Sequence, residues 1–408
     1  MDFTIPPELA DLRQRVLRFV EEEVIPREPL ERDEDGLPAD VLAELRARAR
    51  AAGLWAPQLP REYGGLGLNT LALCLVFEAA GRSMLGPLAL HCAAPDEGNM
   101  HLLLLAATPA QRRRYLEPLA RGEVRSCFAM TEPAPGAGSD PTMMQTRAER
   151  RGGRWVLNGR KWFTTGARGA AFAIVAAVTD PSAPARQGVT LFLVEAGTPG
   201  YAVVRAIPTM TGGAPGGHCE VALTDCAVPD EHVLGEVGEG YRLMQARLGP
   251  ARLTHCMRWL GAAGRAQEIA IARARERQAF GKPLAEHQAV QWMLADSAID
   301  LHAARLMVLE AAWQLEQGST ARKETSICKV FVAEAVGRII DRAIQICGAL
   351  GVSRDLVLER FYRDARAFRI YDGPSEVHRM VIARQLLETT SPPRPPLLQG
   401  EAEAGPQP

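Results

Sequence analysis

Helical periodicity gives way to strand alternation near residue 123 and returns near residue 236. That exchange of period limits the chain to a small β unit held between two helical ones. Before it, Leu12, Val16, Phe19 and Val20 form one apolar stripe and Val41, Leu42 and Leu45 another, each backed by Arg and Glu. Within it, Trp155-Val156-Leu157 and Arg160 to Thr164 flank Asn158-Gly159, which predicts a tight hairpin. Further strands are predicted at 172–178, 189–194, 201–207 and 220–223. After it, Ala-, Leu- and Ile-rich segments at 239–279, 285–316, 321–349 and 376–388 are long enough to bury their stripes against one another. The expected fold class is α+β, mostly α. An N-terminal helical domain (1–122) precedes a middle β domain (123–234) and a C-terminal four-helix bundle (235–388). A Pro-, Gly- and Glu-rich tail (389–408) is expected to be disordered.

The 408 residues, 47% of them hydrophobic, suffice for cores of that size, and a formal net charge of −1 argues against nucleic-acid binding. No apolar run reaches membrane-spanning length, and Met1 to Pro7 lacks a signal-peptide pattern, so a cytoplasmic location with no membrane contact is expected. The eight cysteines form no CxxC pair. His218-Cys219 and His255-Cys256 have no partners at ligand spacing, so reduced core thiols and no metal are expected.

Gly64-Gly65-Leu66-Gly67 could suggest phosphate binding, but it lacks the strand-to-helix context and reads as a loop. No GxGxxG fingerprint follows a strand, which weighs against a nicotinamide-dinucleotide site of the Rossmann type. Near the C-terminus, Ile370-Tyr371-Asp372-Gly373-Pro374-Ser375-Glu376-Val377 sets a carboxylate before a helix-breaking Gly-Pro pair. Most Asp-Gly pairs are ordinary turns. Asp372 is nevertheless the first candidate for a base, because an acid at an element end can meet both substrate and backbone N–H groups.

Four ordered segments give that candidate a context: Ala129 to Pro133 with Ala137 to Asp140; Lys161 to Thr164; Arg277 to Leu284 with Gln288; and Tyr371-Asp372-Gly373. Together they make the chain, over roughly residues 1 to 388, resemble the acyl-CoA dehydrogenase family. Gly249 to Arg252, His255 to Arg258 and Asp372 to Pro374 resemble in particular the subgroup whose animal members carry an added kinase-like domain and handle long-chain and 4-hydroxyacyl-CoA. Only the dehydrogenase part corresponds.

The resemblance implies a barrel-like middle domain and FAD bound between it and the helical bundle. By the same likeness Phe128, Met130 and Thr131 would touch the isoalloxazine ring, Trp162 would pack on it, and the Thr164 hydroxyl would meet N5. Trp162 read by itself is equally a strand core residue. Arg277, Phe280 and Gln288 match positions that a neighbouring subunit contributes to the ADP part, which implies a homotetramer or homodimer. Alone, Arg277 beside Arg273 and Arg275 reads as a solvated helix face. Gln345, Gly348, Gly351 and Pro374 to Glu376 match the remaining adenosine and phosphate contacts.

Ser139, Arg252 and Gly373 match contacts to the acyl-CoA substrate. Arg252, after Gly249-Pro250, is expected near a helix start. Some family members place the base immediately before this arginine, where this chain has Ala251, so Asp372 is the matched base that remains. The resemblance implies α,β-dehydrogenation, with Asp372 taking the α-proton, flavin N5 the β-hydride, and an electron-transferring flavoprotein the electrons. A flavin oxidase or monooxygenase on the same scaffold is the alternative, since relatives that oxidise nitroalkanes use an Asp base. A non-enzymatic, DNA-damage-associated relative would need a basic surface that the net charge does not supply.

Two departures stand out. The loop from Thr131 to Asp140 is longer than usual in the family, and Asp replaces the usual Glu, which shortens its reach by about 1.3 Å. The polar stretch Asp96 to Asn99 matches the region lining the acyl pocket, so a long or hydroxylated acyl chain is expected.

Overall fold

The computed structural model describes residues 4–31, 36–210 and 215–388. The tail expected to be disordered, 389–408, lies outside them.

The N-terminal unit contains α1 (Pro7–Phe19), α2 (Ala39–Ala51), α3 (Thr70–Ala80) and α4 (Asp96–Ala106), joined by shorter helical turns. Pro7 opens α1, where a missing N–H costs nothing, and the stripe from the sequence buries Val16 and Phe19. Asn69 caps α3 through a bond from the Ala72 N–H to its Oδ1 (2.9 Å). That helix is apolar on nearly every side and is accordingly buried in the core with the C-terminal bundle.

The middle unit is a single sheet of β1 (Ser126–Ala129), β2 (Arg147–Arg151), β3 (Arg154–Thr165), β4 (Phe172–Val178), β5 (Val189–Glu195), β6 (Tyr201–Ala206), β7 (His218–Pro229) and β8 (Val233–Leu234). Its order is β6-β7-β3-β2-β4-β5-β8, with β1 parallel to β4. The sheet does not close, so the barrel-like expectation is replaced by an open sheet with β6 and β8 at its edges.

Asn158-Gly159 is not the expected turn. β3 runs straight through it, and the register shift against β7 between Leu157 and Gly159 makes it a bulge, pinned by Asn158 and Asp225 bonding reciprocally (3.1 and 2.8 Å). The β2–β3 turn is Gly152-Gly153, at φ 57° and 76°. Two glycines meet the two positive-φ positions of a tight hairpin at less cost than Asn-Gly.

The C-terminal unit has α5 (Gly240–Glu276), a two-stranded hairpin of β9 (Gln278–Ala279) and β10 (Lys282–Pro283), then α6 (Gln288–Glu316), α7 (Arg322–Cys347), α8 (Leu358–Phe368) and α9 (Ser375–Glu388). The bundle is therefore larger than the four segments expected. The added helix α8 is short and charged, with Arg360, Arg363 and Arg366 beside Glu359 and Asp364, but buries Leu358, Phe361, Ala365 and Phe368 along one face. All eight cysteines are free and buried, as expected. Among the described residues no helix is long and apolar enough to cross a membrane, and no His/Cys/Asp/Glu group could hold a metal.

Candidate active site

Asp372 lies in the short connection between α8 and α9, with φ +54°, a left-handed conformation that non-glycine residues rarely adopt. Such strain persists only where the surroundings fix it. Arg252 Nε donates to the Asp372 carbonyl at 2.8 Å, and His378 Nε2 lies 3.2 Å from the same oxygen. Gly373 follows at φ +102°, and a Cβ there would fall 2.7 Å from His378 Nε2. The acid is thus clamped through its backbone, which leaves its side chain to be placed separately.

The carboxylate reaches α5, where His255 Nε2 lies 3.2 Å from Asp372 Oδ2. Burial by itself would raise the Asp372 carboxyl, but the hydrogen bond and charge of His255, with Arg247 and Arg252, hold it well below the usual carboxylate range. His255 in turn is pushed below its ordinary value by burial and by Arg258, against the pull of Asp372. Its protonation pattern follows from its partners. Arg258 Nη2, 3.2 Å from His255 Nδ1, can only donate, so Nδ1 accepts and Nε2 carries the proton toward Asp372. Neither Asp372 Oδ1 nor the Asp372 backbone N–H has a hydrogen-bond partner among the described residues.

Arg247, also on α5, is buried, and its guanidinium carbon sits 4.2 Å from the centre of the Phe128 ring. Its Nε donates to Asn99 Oδ1 at 2.8 Å, and Asn99 Nδ2 donates to Ser126 Oγ at 2.9 Å. The Ser126 hydroxyl and N–H both donate to Asp96 Oδ1 (2.7 and 2.8 Å). The polar stretch Asp96 to Asn99 therefore commits Asp96 Oδ1 to β1, Asn99 Oδ1 to Arg247 and the Glu97 carboxylate to Thr254 and Arg258. Arg247 is the polar group these residues support between the β domain and Asp372.

On the β side, the Trp162 backbone N–H donates to the Thr131 carbonyl at 2.7 Å, tying Phe128, Met130 and Thr131 to Trp162 and Thr164. The buried pair Lys161 and Glu132 (2.9 Å) fastens both segments, with Lys161 also donating to the Met130 carbonyl at 3.1 Å. Thr164 is fully buried, yet its Oγ1 has no partner, and neither has the buried Trp162 Nε1. Buried polar atoms normally find partners, so this wall is shaped for a group bearing both an acceptor and a donor. Such a wall fits a flavin.

The remaining expected residues are not gathered here. Arg277, Gln288, Gln345 and Gly348 are exposed, and Phe280, at the β9–β10 turn with φ +52°, is 97% exposed. Ser139 is exposed on its loop, and Pro374 and Glu376 open α9, with the Glu376 side chain 77% exposed. Gly351 is buried against the Ile344 carbonyl and serves packing. Arg252 is not near a helix start. α5 continues through Pro250, because one lost N–H bond is tolerated in a helix buried along most of its length, so this arginine is part-buried in mid-helix.

Three groups to which the sequence assigned no role complete the site: Arg247, which no motif singled out, and His255 and Arg258, which entered only as part of the subgroup resemblance. With Ala251 they fall at i, i+8, i+11 and i+4, one face of α5. A polar stripe on a mostly apolar helix was the available signal.

Family models for the acyl-CoA dehydrogenase N-terminal, middle and C-terminal domains match residues 6–123, 127–226 and 238–387. The chain belongs to the acyl-CoA dehydrogenase family. That family is one of FAD-dependent oxidoreductases. The chain is 42% identical over 399 residues to FadE2 of Mycobacterium tuberculosis, with 94% of this chain and 96% of that protein covered. It is 37% identical to acyl-CoA dehydrogenase family member 10 of Mus musculus, over 95% of this chain but 38% of that one. Among solved structures, a Mycobacterium abscessus acyl-CoA dehydrogenase superposes with TM-score 0.87 at 38% identity, covering 94% of this chain and 99% of that one. Butyryl-CoA dehydrogenase of Megasphaera elsdenii gives 0.84 at 30%, covering 95% and 100%.

Proposed function

We propose that this acyl-CoA dehydrogenase removes hydrogen from the α and β carbons of an acyl-CoA thioester to give the 2-enoyl-CoA, with Asp372 as the base and FAD as cofactor. The observation that carries the reading is the part-buried Asp372 carboxylate, anchored by one oxygen at His255 Nε2 (3.2 Å) with its other oxygen unengaged. A base that must take a weakly acidic proton gains from being held in place. Oδ1 accepts the α-proton as the C–H bond breaks. The free backbone N–H of Asp372 suits the thioester oxygen, where charge develops. Thr164 and Trp162 would hold the flavin with their unpaired buried atoms, beside Phe128, Met130 and Thr131. FAD, when bound, supplies the acceptor for the hydride leaving the β-carbon, and an electron-transferring flavoprotein would take the electrons onward.

Arg247 supports a substrate whose acyl chain carries an oxygen, such as a hydroxylated long chain, because a guanidinium buried between the flavin wall and the base favours an acceptor over a plain alkyl group. Ser139 and Arg252 would contact the CoA portion. The outward-facing Arg277, Phe280, Gln288, Gln345 and Gly348 suit completion of a flavin site across subunits. α6 also exposes Trp292, Ile299, Leu306 and Trp313 at intervals of seven residues, an apolar seam suited to another helix of the same protein. A homotetramer accounts for both features.

Anaerobic mixing with a panel of acyl-CoAs tests the reading. A good substrate should bleach the flavin of the wild-type protein, while Asp372→Asn should keep FAD and bind acyl-CoA but reduce it at least about 1,000-fold more slowly. Wild-type bleaching by the Asn variant would place the base elsewhere. In aerobic turnover, stoichiometric hydrogen peroxide at full rate would instead indicate an oxidase.

A further inference from the structure

The clamp on the Asp372 backbone does not determine where its carboxylate points. A single methylene separates the carboxylate from the chain, and two torsions remain free to swing it. On the reading that Asp372 is the base, we propose that His255 is a positioning residue: its Nε2–H holds Asp372 Oδ2, so that Oδ1 is the oxygen presented for the proton.

Each end of this arrangement is fixed by something else. His255 has its ring against Tyr371 (4.8 Å between centres), and Tyr371 is itself tied by a 2.7 Å bond from Trp259 Nε1 to its hydroxyl. The Arg258 donor selects the tautomer, and Arg258 is held by the Cys92 carbonyl (2.8 Å) and by Glu97 (3.7 Å). The chain Glu97, Arg258, His255, Asp372 thus runs from α4 through α5 to the connection before α9. The first link is an ion pair, and from Arg258 to His255 the donor and acceptor are definite, which leaves Nε2–H facing the carboxylate.

In the transfer itself, the substrate C–H bond breaks and an O–H bond forms at Oδ1. His255 keeps its own proton throughout, so it holds the carboxylate and does not relay. The arrangement also offers a physical account of Asp in place of the longer Glu. A short side chain with one oxygen tethered has few orientations left, and a displacement of about 1 Å can cost about 100-fold in rate.

The charged and titratable groups facing the pair are Arg247, Arg252 and Arg258 from α5, Glu97 from α4, Lys329 from α7, His378 from α9, and Tyr371 beside it. Of the contributions that lower the Asp372 carboxyl, that of His255 stands first. Removing the donor should therefore move the acid limb of the rate profile to higher pH, which a packing role would not do.

The test compares His255→Gln, whose amide nitrogen reaches the level of Nε2, with His255→Asn, whose amide stops short, and with His255→Phe, which keeps the ring alone. All are measured as FAD-loaded full-length protein by anaerobic flavin reduction against pH. The expected result is that Asn and Phe slow reduction about 100-fold and raise the midpoint of the acid limb, while Gln stays within about 10-fold with the limb unmoved. Reduction by the Asn variant within a few-fold of wild type overturns the proposal. So does equal slowing of Gln and Asn with no shift in the limb. If Phe does not fold, the Gln and Asn pair decides alone. A loss of the underlying reading is distinct, because Asp372→Asn would then still bleach.

Discussion

Arg252 reaches across from the middle of α5 to donate its Nε–H to the backbone carbonyl of Asp372 at 2.8 Å. One arginine thereby couples the long helix to the connection that carries the base, in a place where the backbone is already strained at φ +54°. Arg252→Ala removes the only charged donor that the described residues place on that carbonyl, leaving the His378 contact. Flavin reduction should fall about 10- to 100-fold with FAD content unchanged. Stopped-flow reduction with saturating substrate checks this. An effect confined to KM would mean that Arg252 acts on CoA alone.

Gly373→Ala should destabilise the folded protein by about 1–3 kcal/mol. The residue sits at φ +102°, and the added methyl would meet His378 Nε2 at 2.7 Å, so strain and a clash act together. His378 cannot withdraw freely, because its Nδ1 lies 3.2 Å from Ser326 Oγ. A urea midpoint indistinguishable from wild type would refute this account of the turn.

His91 gives a pH prediction. Its ring stacks on Trp55 (4.6 Å, 8°), its Nε2 lies 2.7 Å from the Leu119 carbonyl, and burial with Arg46 nearby pushes it down to about 3. Between about 3 and its ordinary value near 6.5, the unfolded chain therefore holds a proton that the folded chain refuses. Stability then falls as pH falls through that window, by at most about 1.4 kcal/mol per pH unit for one group. His378, lowered to about 4 mainly by burial, adds in the same direction above that pH. His91→Gln should flatten the pH dependence of the urea midpoint between pH 4.5 and 6 by about one proton. An unchanged slope would show that His91 is already charged when folded.

What could be read from the sequence and what could not divides along physical lines. The exchange of period placed the three units, because burying one face of a helix or sheet leaves its mark on every third or second residue. Asp372 and the Thr131 and Trp162 segments were legible because a short local pattern carries each. The hairpin turn was misplaced because Asn158-Gly159 and Gly152-Gly153 both satisfy local turn chemistry, and only the pairing of β3 with β2 across Gly152-Gly153 and with β7 through Asn158-Gly159 decides between them. α8 escaped because its apolar face is interleaved with three arginines and two acids. The partners of Asp372 lie on a helix more than a hundred residues away. No local pattern announces that His255 rather than the neighbouring Cys256 faces the acid.

Arg247 supplies the prediction that bears on substrate. It is buried with its Nε given to Asn99 and one Nη 3.3 Å from the Pro95 carbonyl, and Asp372, Glu97 and Asp96 are the acids that act on it. A guanidinium has five N–H donors, and these two bonds leave others for an oxygen on the acyl chain. A site built to hydrogen-bond a substrate oxygen rejects the analogue lacking it, because the buried donor is then left unpaired. Arg247→Met keeps an unbranched side chain against Phe128 but removes the donors. The ratio of kcat/KM for a 4-hydroxyacyl-CoA over the plain acyl-CoA of equal length should fall by about 100-fold, with the plain substrate retained or improved. Arg247→Lys, which keeps the charge but not the fork, should fall between the two. Because Arg247 also braces Asn99, FAD content and the thermal midpoint are measured alongside, so that a collapse of the pocket is told apart from a loss of selectivity. A ratio unchanged in a well-folded Met variant would mean that Arg247 serves only to join α5 to the β domain, and that the acyl chain is chosen elsewhere.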